Sequence, residues 1–285
     1  TVFIVDDNFI GNKREVRKFL PELIKWSERH NFPFSFLTEA SVNLAEDNAL
    51  LELMQYAHFH RVFLGIETPI AESLKEANKS QNTKRDLLES VKKIQSYGIE
   101  VMAGFIIGFD NDPEDIFERQ INFIRESAIP LAMVGLLTAL PDTQLWKRLE
   151  REGRLVHESS GNNTDCSLNF VPKMDRERLV EGYKAVLRNI YSPQEFYQRA
   201  LDCLSRVRNN AVELQRVNFI RVTKSFFKII LRLGVRDRDR FRFWKYLFRV
   251  TYPRSLGNGI ALAAMGYHFR KVTEIYCAKN ALEGI

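Results

Sequence analysis

Five short apolar runs, each followed by a stretch of helical periodicity, fill roughly the first 150 residues of the chain. The runs are Val2–Val5, Phe34–Leu37, Arg61–Ile66, Glu100–Ile107 and Leu131–Leu137. The segments between them read as helices: Lys13 to His30, then NLAEDNALLELMQYA, a helix from near Thr83, PEDIFERQINFIRES and TQLWKRLEREG. A strand that returns to the same sheet in the same direction needs a long crossover, and a helix is the usual one. The alternation therefore predicts an α/β fold around a parallel sheet. Periodicity alone leaves two forms open, an open doubly wound sheet and a (β/α) barrel or part of one.

The stretch from Ile99 to Pro113, IEVMAGFIIGFDNDP, shows the unit most clearly. Gly98 stands where a preceding helix needs its C′ residue, and Thr83 with Asp86 forms a capping-box-like pair at that helix's start. Pro113 suits a first helical turn, where its missing N–H costs nothing. Gly108 ends the strand and admits two readings. It lets the chain turn, or its bare backbone gives a flat ligand a surface to lie on.

Acidic and polar residues recur where the runs end. Asp6 and Asp7 follow the first, Glu39 the second and Glu67 the third. Gly108 and Asp110 follow the fourth, and Thr138 and Pro141 the fifth. Parallel strands put their C-terminal ends on one side, so these groups converge on one rim, the side where barrel enzymes keep their chemistry. Singly, each also reads as a helix cap or a solvated turn residue. Clustered carboxylates suit a divalent metal, or the hydroxyl and amino groups of a small polar ligand. None of the five histidines (His30, His58, His60, His157, His268) ends a strand, which argues against a histidine-ligated zinc or a histidine base there. No P-loop and no GxGxxG is present.

The length of 285 residues accommodates one large core or a domain with an appendage, and the hydrophobic fraction of 45% is that of a soluble protein. Cys166, Cys203 and Cys277 are far apart, contain no CxxC and read as buried small side chains in a reducing cytoplasm. Thr1 opens inside an apolar run without methionine, as expected of a piece of a longer chain. Charge divides unevenly: the net is −5 over residues 1–200 and +11 over residues 201–285.

In order and spacing, VFIVDDNFIG, FLTEASVNL, RVFLGIETP, VMAGFIIGFDNDPEDIFE and VGLLTALPDTQLWKRLEREGRL resemble the radical S-adenosylmethionine enzymes, and within them the cobalamin-binding (class B) branch. NFVPKMDRERLVEGYKAVLRNIYSPQEFYQRALDCL is similar to that branch's C-terminal extension, so the likeness covers roughly residues 1–205. The resemblance implies a partial β/α barrel over 1–155 and a helical extension over 156–285. It implies that Asp6 and Asp7 hold the methionine amino group, and that Glu39 and Glu67 face the ribose and methionine side of S-adenosylmethionine. Ile107, Gly108 and Phe109 match the turn against which adenine lies, and Leu140 and Pro141 the segment closing over it. The family's CxxxCxxC loop, ligating a 4Fe–4S cluster, and its cobalamin domain would lie before Thr1, since three thiolates must meet at one cluster. The implied enzyme methylates an unactivated carbon of a lipid, pigment or natural product, with this piece inactive by itself. Two other readings stand beside it. One is a metal-dependent barrel lyase or hydrolase using Asp6, Asp7, Glu39 and Glu67, and the other is a non-catalytic docking module.

The basic tail carries Arg221, Lys224, Lys228 and Arg232 at helical spacing within VNFIRVTKSFFKIILRLG, and Arg242, Lys245 and Arg249 among the aromatics of FRFWKYLFRV. Two readings fit: helices packed on the barrel with a solvated basic face, and helices lying on an anionic membrane surface. The aromatics follow apolar helix spacing, which speaks against nucleic acid. Ser255–Phe269 is too short for a membrane span.

Overall fold

All five runs form strands, and the strands lie side by side in chain order, each parallel to the next. In the computed structural model the described residues are 1–79, 82–83, 85–157, 168–207, 226–250 and 253–278. The strands are β1 (Val2–Ile4), β2 (Phe36–Ala40), β3 (Phe59–Glu67), β4 (Glu100–Ile107) and β5 (Leu131–Leu136). Between them run α1 (Lys13–Arg29), α2 (Asn48–Tyr56), α3 (Ala71–Glu76), α4 (Leu87–Ser96) and α5 (Ile116–Glu126), with α6 (Gln144–Arg151) after β5. A short 3-10 turn, Val42–Glu46, precedes α2. The result is α/β, a run of β/α units followed by helices.

Alternation along the strands divides the sheet into two faces. Val62, Leu64 and Ile66 of β3 and Ala103, Phe105 and Ile107 of β4 are buried on the helix-covered side. Phe63, Gly65 and Glu67, with Met102, Gly104 and Ile106, are half-buried on the other. That second face carries both Glu39 and Glu67.

Several local expectations shift by a few residues. The second strand starts at Phe36, two residues after the run at Phe34. Asp86, not Thr83, caps α4: its carboxylate accepts from the Glu89 N–H. Gly98 has φ +77, as a C′ glycine should. Pro113 lies in the turn before α5, whose N-cap is Asp115, so the proline precedes the first helical turn.

β5 is an edge strand, and edges leave carbonyls unpaired. Here helix α7 (Arg176–Ile190) and its C-cap supply the donors. Tyr183 gives its hydroxyl to the Val134 carbonyl at 3.2 Å, and Tyr191 gives its own to Ala132 at 2.7 Å. Two tyrosines eight positions apart thus stand in for a neighbouring strand. Desolvation of these hydroxyls is tolerable because each is bonded.

The C-terminal helices α8 (Pro193–Arg206), α9 (Arg240–Arg249) and α10 (Pro253–Ala278) join the same hydrophobic core. Residues 226–229 are helical and continue into a π-helical stretch, Ile230–Arg236. Arg221 and Lys224 of the anticipated basic stripe lie outside the described residues, as does Cys166. Phe243 and Tyr246 are buried, and Tyr246 stacks on Tyr197 with centroids 4.7 Å apart. The packed-helix reading therefore accounts for Phe243, Trp244 and Tyr246 among the five aromatics of α9, while Phe241 and Phe248 remain exposed. Among the described residues, no helix is long and apolar enough to cross a membrane.

Candidate functional site

Beyond the C-terminal ends of β3, β4 and β5 the chain builds two adjoining hollows. A cleft of about 1050 Å³, apolar over much of its wall and rimmed by charged side chains, is bordered by Glu67, Lys79, Phe109, Thr138, Leu140 and Arg148. An apolar cavity of about 370 Å³ runs along the open face of the sheet, between Phe63, Gly104, Ile106 and Met133 on one side and Tyr191 and Phe269 on the other. Glu67, Ile106, Leu137, Thr138 and Leu140 border both. A ligand in the cleft and a second in the cavity would meet at Glu67.

Glu67 is unusual in its backbone. Its φ is +67, a conformation that costs a side-chain-bearing residue of order 1 kcal/mol. The strand register slips at the same place, with Gly65 opposite Gly104 but Glu67 opposite Phe105. The carboxylate folds back over Gly65, where a Cβ would meet Glu67 Oε1 at 2.8 Å. Lys79 Nζ approaches the same oxygen at 3.3 Å. Glycine at position 65 is thus what makes room for this carboxylate.

The remaining anticipated residues fall into two groups. Asp6, Asp7 and Glu39 sit together at the β1–β2 end of the rim. Asp6 accepts from the Asn8 N–H, Phe9 donates to the Glu39 carbonyl at 3.0 Å, and Asn8 pins Ser41 through its side chain. The side chains of Asp6 and Asp7 are exposed, and that of Glu39 is half-buried. Glu39 pairs with Phe63 in the register, four residues short of Glu67. At about 3.3 Å per residue the two Cα positions are offset by up to roughly 13 Å along the strands, a distance that the bulge and the folded-back Glu67 side chain shorten. They share a face and are not in contact, so only an elongated ligand would reach both.

At the other end, Phe109 and Leu140 border the cleft. Ile107 is fully buried and its carbonyl accepts from the Leu137 N–H. Pro141 is exposed beside Leu140. Gly108 has φ +112, which only glycine adopts without strain, and a Cβ there would meet Leu179 and Leu137 at 3.4 and 3.6 Å. On that side the backbone is covered by leucines, and the positive φ alone accounts for the glycine.

The turn after Gly108 is held in a polar knot. Asp112 accepts from the Gly108 and Phe109 N–H groups at 2.8 and 3.0 Å and from the Ser73 hydroxyl at 2.7 Å. Burial pushes its carboxyl up, against those hydrogen bonds. Asp110 is also buried, yet paired hydrogen bonds from Arg154 and the charges of Arg148 and Lys173 outweigh that and hold its carboxyl down. Glu76 accepts from the Asp110 and Asn111 N–H groups and from Arg148. The knot fixes the turn that carries Phe109.

The metal-ligand reading of Asp6, Asp7, Glu39 and Glu67 does not survive this geometry. Among the described residues no three His, Cys, Asp or Glu side chains come together as ligands. Cys203 is buried in α8, and Cys277 is half-buried with its thiol against the Lys184 carbonyl.

Lys79, Arg148, Met133 and Tyr191 border these hollows without having been anticipated. Arg148 comes from α6, Met133 from the middle of β5, Lys79 from the stretch after α3 and Tyr191 from the C-cap of α7, where a list of strand ends does not look. Gly104 and Gly135 were the available sign, because glycine inside a strand marks a place where something approaches the backbone closely.

Residues 143–281 match a family described as a domain of unknown function, DUF4070. Over 282 residues the chain is 42% identical to an uncharacterised methyltransferase of Synechocystis sp., covering 96% of this chain and 52% of that protein. It is 35% identical over 274 residues to the hopanoid C-2 methylase of Rhodopseudomonas palustris, covering 94% of this chain and 51% of the methylase. It is 24% identical over 196 residues to the bacteriochlorophyllide d C-12(1)-methyltransferase of Chlorobaculum tepidum, 68% of this chain and 41% of that enzyme. The chain spans about half the length of the first two relatives.

Proposed function

We propose that this chain belongs to the radical S-adenosylmethionine methylases of the cobalamin-binding type and is the carboxyl-terminal part of an enzyme that methylates an unactivated carbon of a lipid, pigment or natural product; its likeness to methyltransferases over nearly its whole length supports this. The observation that carries this reading is the junction at Glu67 between a charge-rimmed cleft and an apolar cavity. Such a junction suits a polar, nucleoside-bearing methyl donor on one side and a largely hydrocarbon acceptor on the other.

Residues 1–155 supply the cofactor side in this proposal. S-adenosylmethionine, when bound, supplies the methyl group and the hydrogen-abstracting chemistry. Glu67 accepts hydrogen bonds from hydroxyl or amino groups and stays near the sulfonium charge, while Phe109 and Leu140 give the flat base apolar contact. Ile107 and Gly108 set the path of that turn from beneath, and Pro141 bends the segment above it. Asp6, Asp7 and Glu39, at the far end of the rim, take the amino end of an extended ligand.

Residues 156–285 form the helical extension, which walls the apolar cavity with Tyr191 and Phe269 and excludes water from the acceptor. The 4Fe–4S cluster and the cobalamin belong to the rest of the enzyme. Enzymes of this kind act in a reducing compartment, which fits the cytoplasm.

The test is methyl transfer by the full-length enzyme, reconstituted anaerobically with iron, sulfide and cobalamin and supplied with trideuteromethyl S-adenosylmethionine. Label should appear on carbon of an apolar acceptor. Label found only on oxygen or nitrogen, or none with a cluster shown intact by its spectrum, would refute the reading.

A further inference from the structure

A third hollow, on the outer surface between α5, α8 and α9, belongs to neither part of the methylation site. It measures about 460 Å³, and five cations border it: Arg125, Arg199, Arg242, Lys245 and Arg249. Glu195 is the one carboxylate among the bordering residues, and it is already engaged by Arg125 at 2.9 Å. Arg242 is tied to Asp239 at 2.6 Å, and Arg249 touches Gln198 at 3.4 Å. Lys245 has no partner among the described residues.

Arg199 sets this hollow apart from an ordinary basic surface. It is 1% exposed, and no carboxylate touches it. Its Nε donates to the Ile129 carbonyl at 3.1 Å and its Nη2 to the Ile190 carbonyl at 2.6 Å. Nη1 has no protein partner among the described residues. Burial lowers its pKa to about 10, so the group remains charged at neutral pH. Glu195 acts on it only through space and is already bonded to Arg125, so this buried cation is incompletely compensated and an anion would be drawn to it. The amino end of α8 lies at the same hollow. Ser192 caps the Glu195 N–H there, and Pro193 fills the first position, so the Gln194 N–H is left without an intrahelical acceptor.

We propose that this hollow binds a phosphate ester, with the phosphate oxygens received by Arg199, Lys245 and Arg249. Guanidinium and ammonium groups converging from two helices match a tetrahedral oxyanion, and the volume exceeds what a bare phosphate needs, leaving room for the esterified part. The ester comes either from a soluble metabolite or from a phospholipid headgroup. Phe241 and Phe248, exposed on α9 beside the cations, are compatible with the second source. Neither source depends on the proposed methylation.

The experiment titrates the full-length protein with glycerol 3-phosphate by calorimetry, using acetate at matched ionic strength as control. In parallel, the protein is sedimented with phosphatidylglycerol vesicles. The comparison variant is Lys245→Gln with Arg249→Gln, two exposed positions whose replacement should leave the melting temperature unchanged. Binding of glycerol 3-phosphate, weakened about tenfold or more in the variant, supports the site with a soluble ligand. Binding to vesicles only, lost in the variant, supports it with a headgroup. The proposal is overturned if neither probe binds, if acetate binds as well as the ester, or if the double variant binds like the parent.

Discussion

Glu67 Oε1 lies 3.3 Å from Lys79 Nζ, on the wall that the charge-rimmed cleft and the apolar cavity share. A carboxylate held by one half-exposed lysine is stabilised little by that pair, so its strained backbone is not explained by stability. Replacing Glu67 by glycine relieves the positive φ and removes the carboxylate. We expect global stability to stay within about 1 kcal/mol of the parent in a denaturant melt. In the full-length enzyme the same variant should bind S-adenosylmethionine about ten- to a hundredfold more weakly.

The tyrosine caps on β5 make a separate prediction. Tyr191→Phe leaves the Ala132 carbonyl, buried and on a strand edge, without its donor. The expected cost is about 1–3 kcal/mol, read from the midpoint of urea unfolding. Tyr183→Phe, whose bond to Val134 is longer at 3.2 Å, should cost less.

Both caps illustrate how far the sequence could be read. Parallel order, the two faces and the placing of Glu39 and Glu67 on one rim follow from period-two patterning and short crossovers, and the strand at Glu100–Ile107 needed no adjustment. Tyr183 and Tyr191 are silent, because a tyrosine that caps a strand 49 or 59 residues away leaves no local pattern. The knot of Asp110, Asp112 and Glu76 was equally silent. Asp110 was readable as a rim residue, but its pairing with Arg154 depends on how a later loop returns. The offset between Glu39 and Glu67 depends on strand register, which a bulge at Gly65–Glu67 alters and composition does not encode.

His60 provides a pH dependence. It sits on β3 with Nδ1 buried and unbonded, and burial, aided by the Arg61 charge, lowers its pKa from 6.5 to about 4. The unfolded chain therefore takes up a proton that the fold refuses between those two values. Stability from this group is complete above pH 6.5 and declines as pH falls toward about 4, by about 2–3 kcal/mol at most. His60→Phe should remove that component, seen as a flatter stability profile between pH 6.5 and 4 in buffered melts.

Gly104 tests the cavity. A Cβ there comes within 3.2 Å of Phe63 Cζ, so a branched side chain must displace the phenyl ring into the hollow. Gly104→Val should cost about 1–3 kcal/mol of stability. It should also raise KM for the apolar acceptor several-fold while affinity for S-adenosylmethionine is kept. An equal loss for both ligands would mean that cleft and cavity are not separate sites.

The most direct measurement is transfer of a trideuteromethyl group by the reconstituted full-length enzyme, compared between the parent and Glu67→Gly at saturating acceptor. The account predicts labelled carbon in the parent, and in the variant a loss that rising S-adenosylmethionine concentration partly restores. Undiminished turnover by Glu67→Gly at limiting S-adenosylmethionine would contradict it.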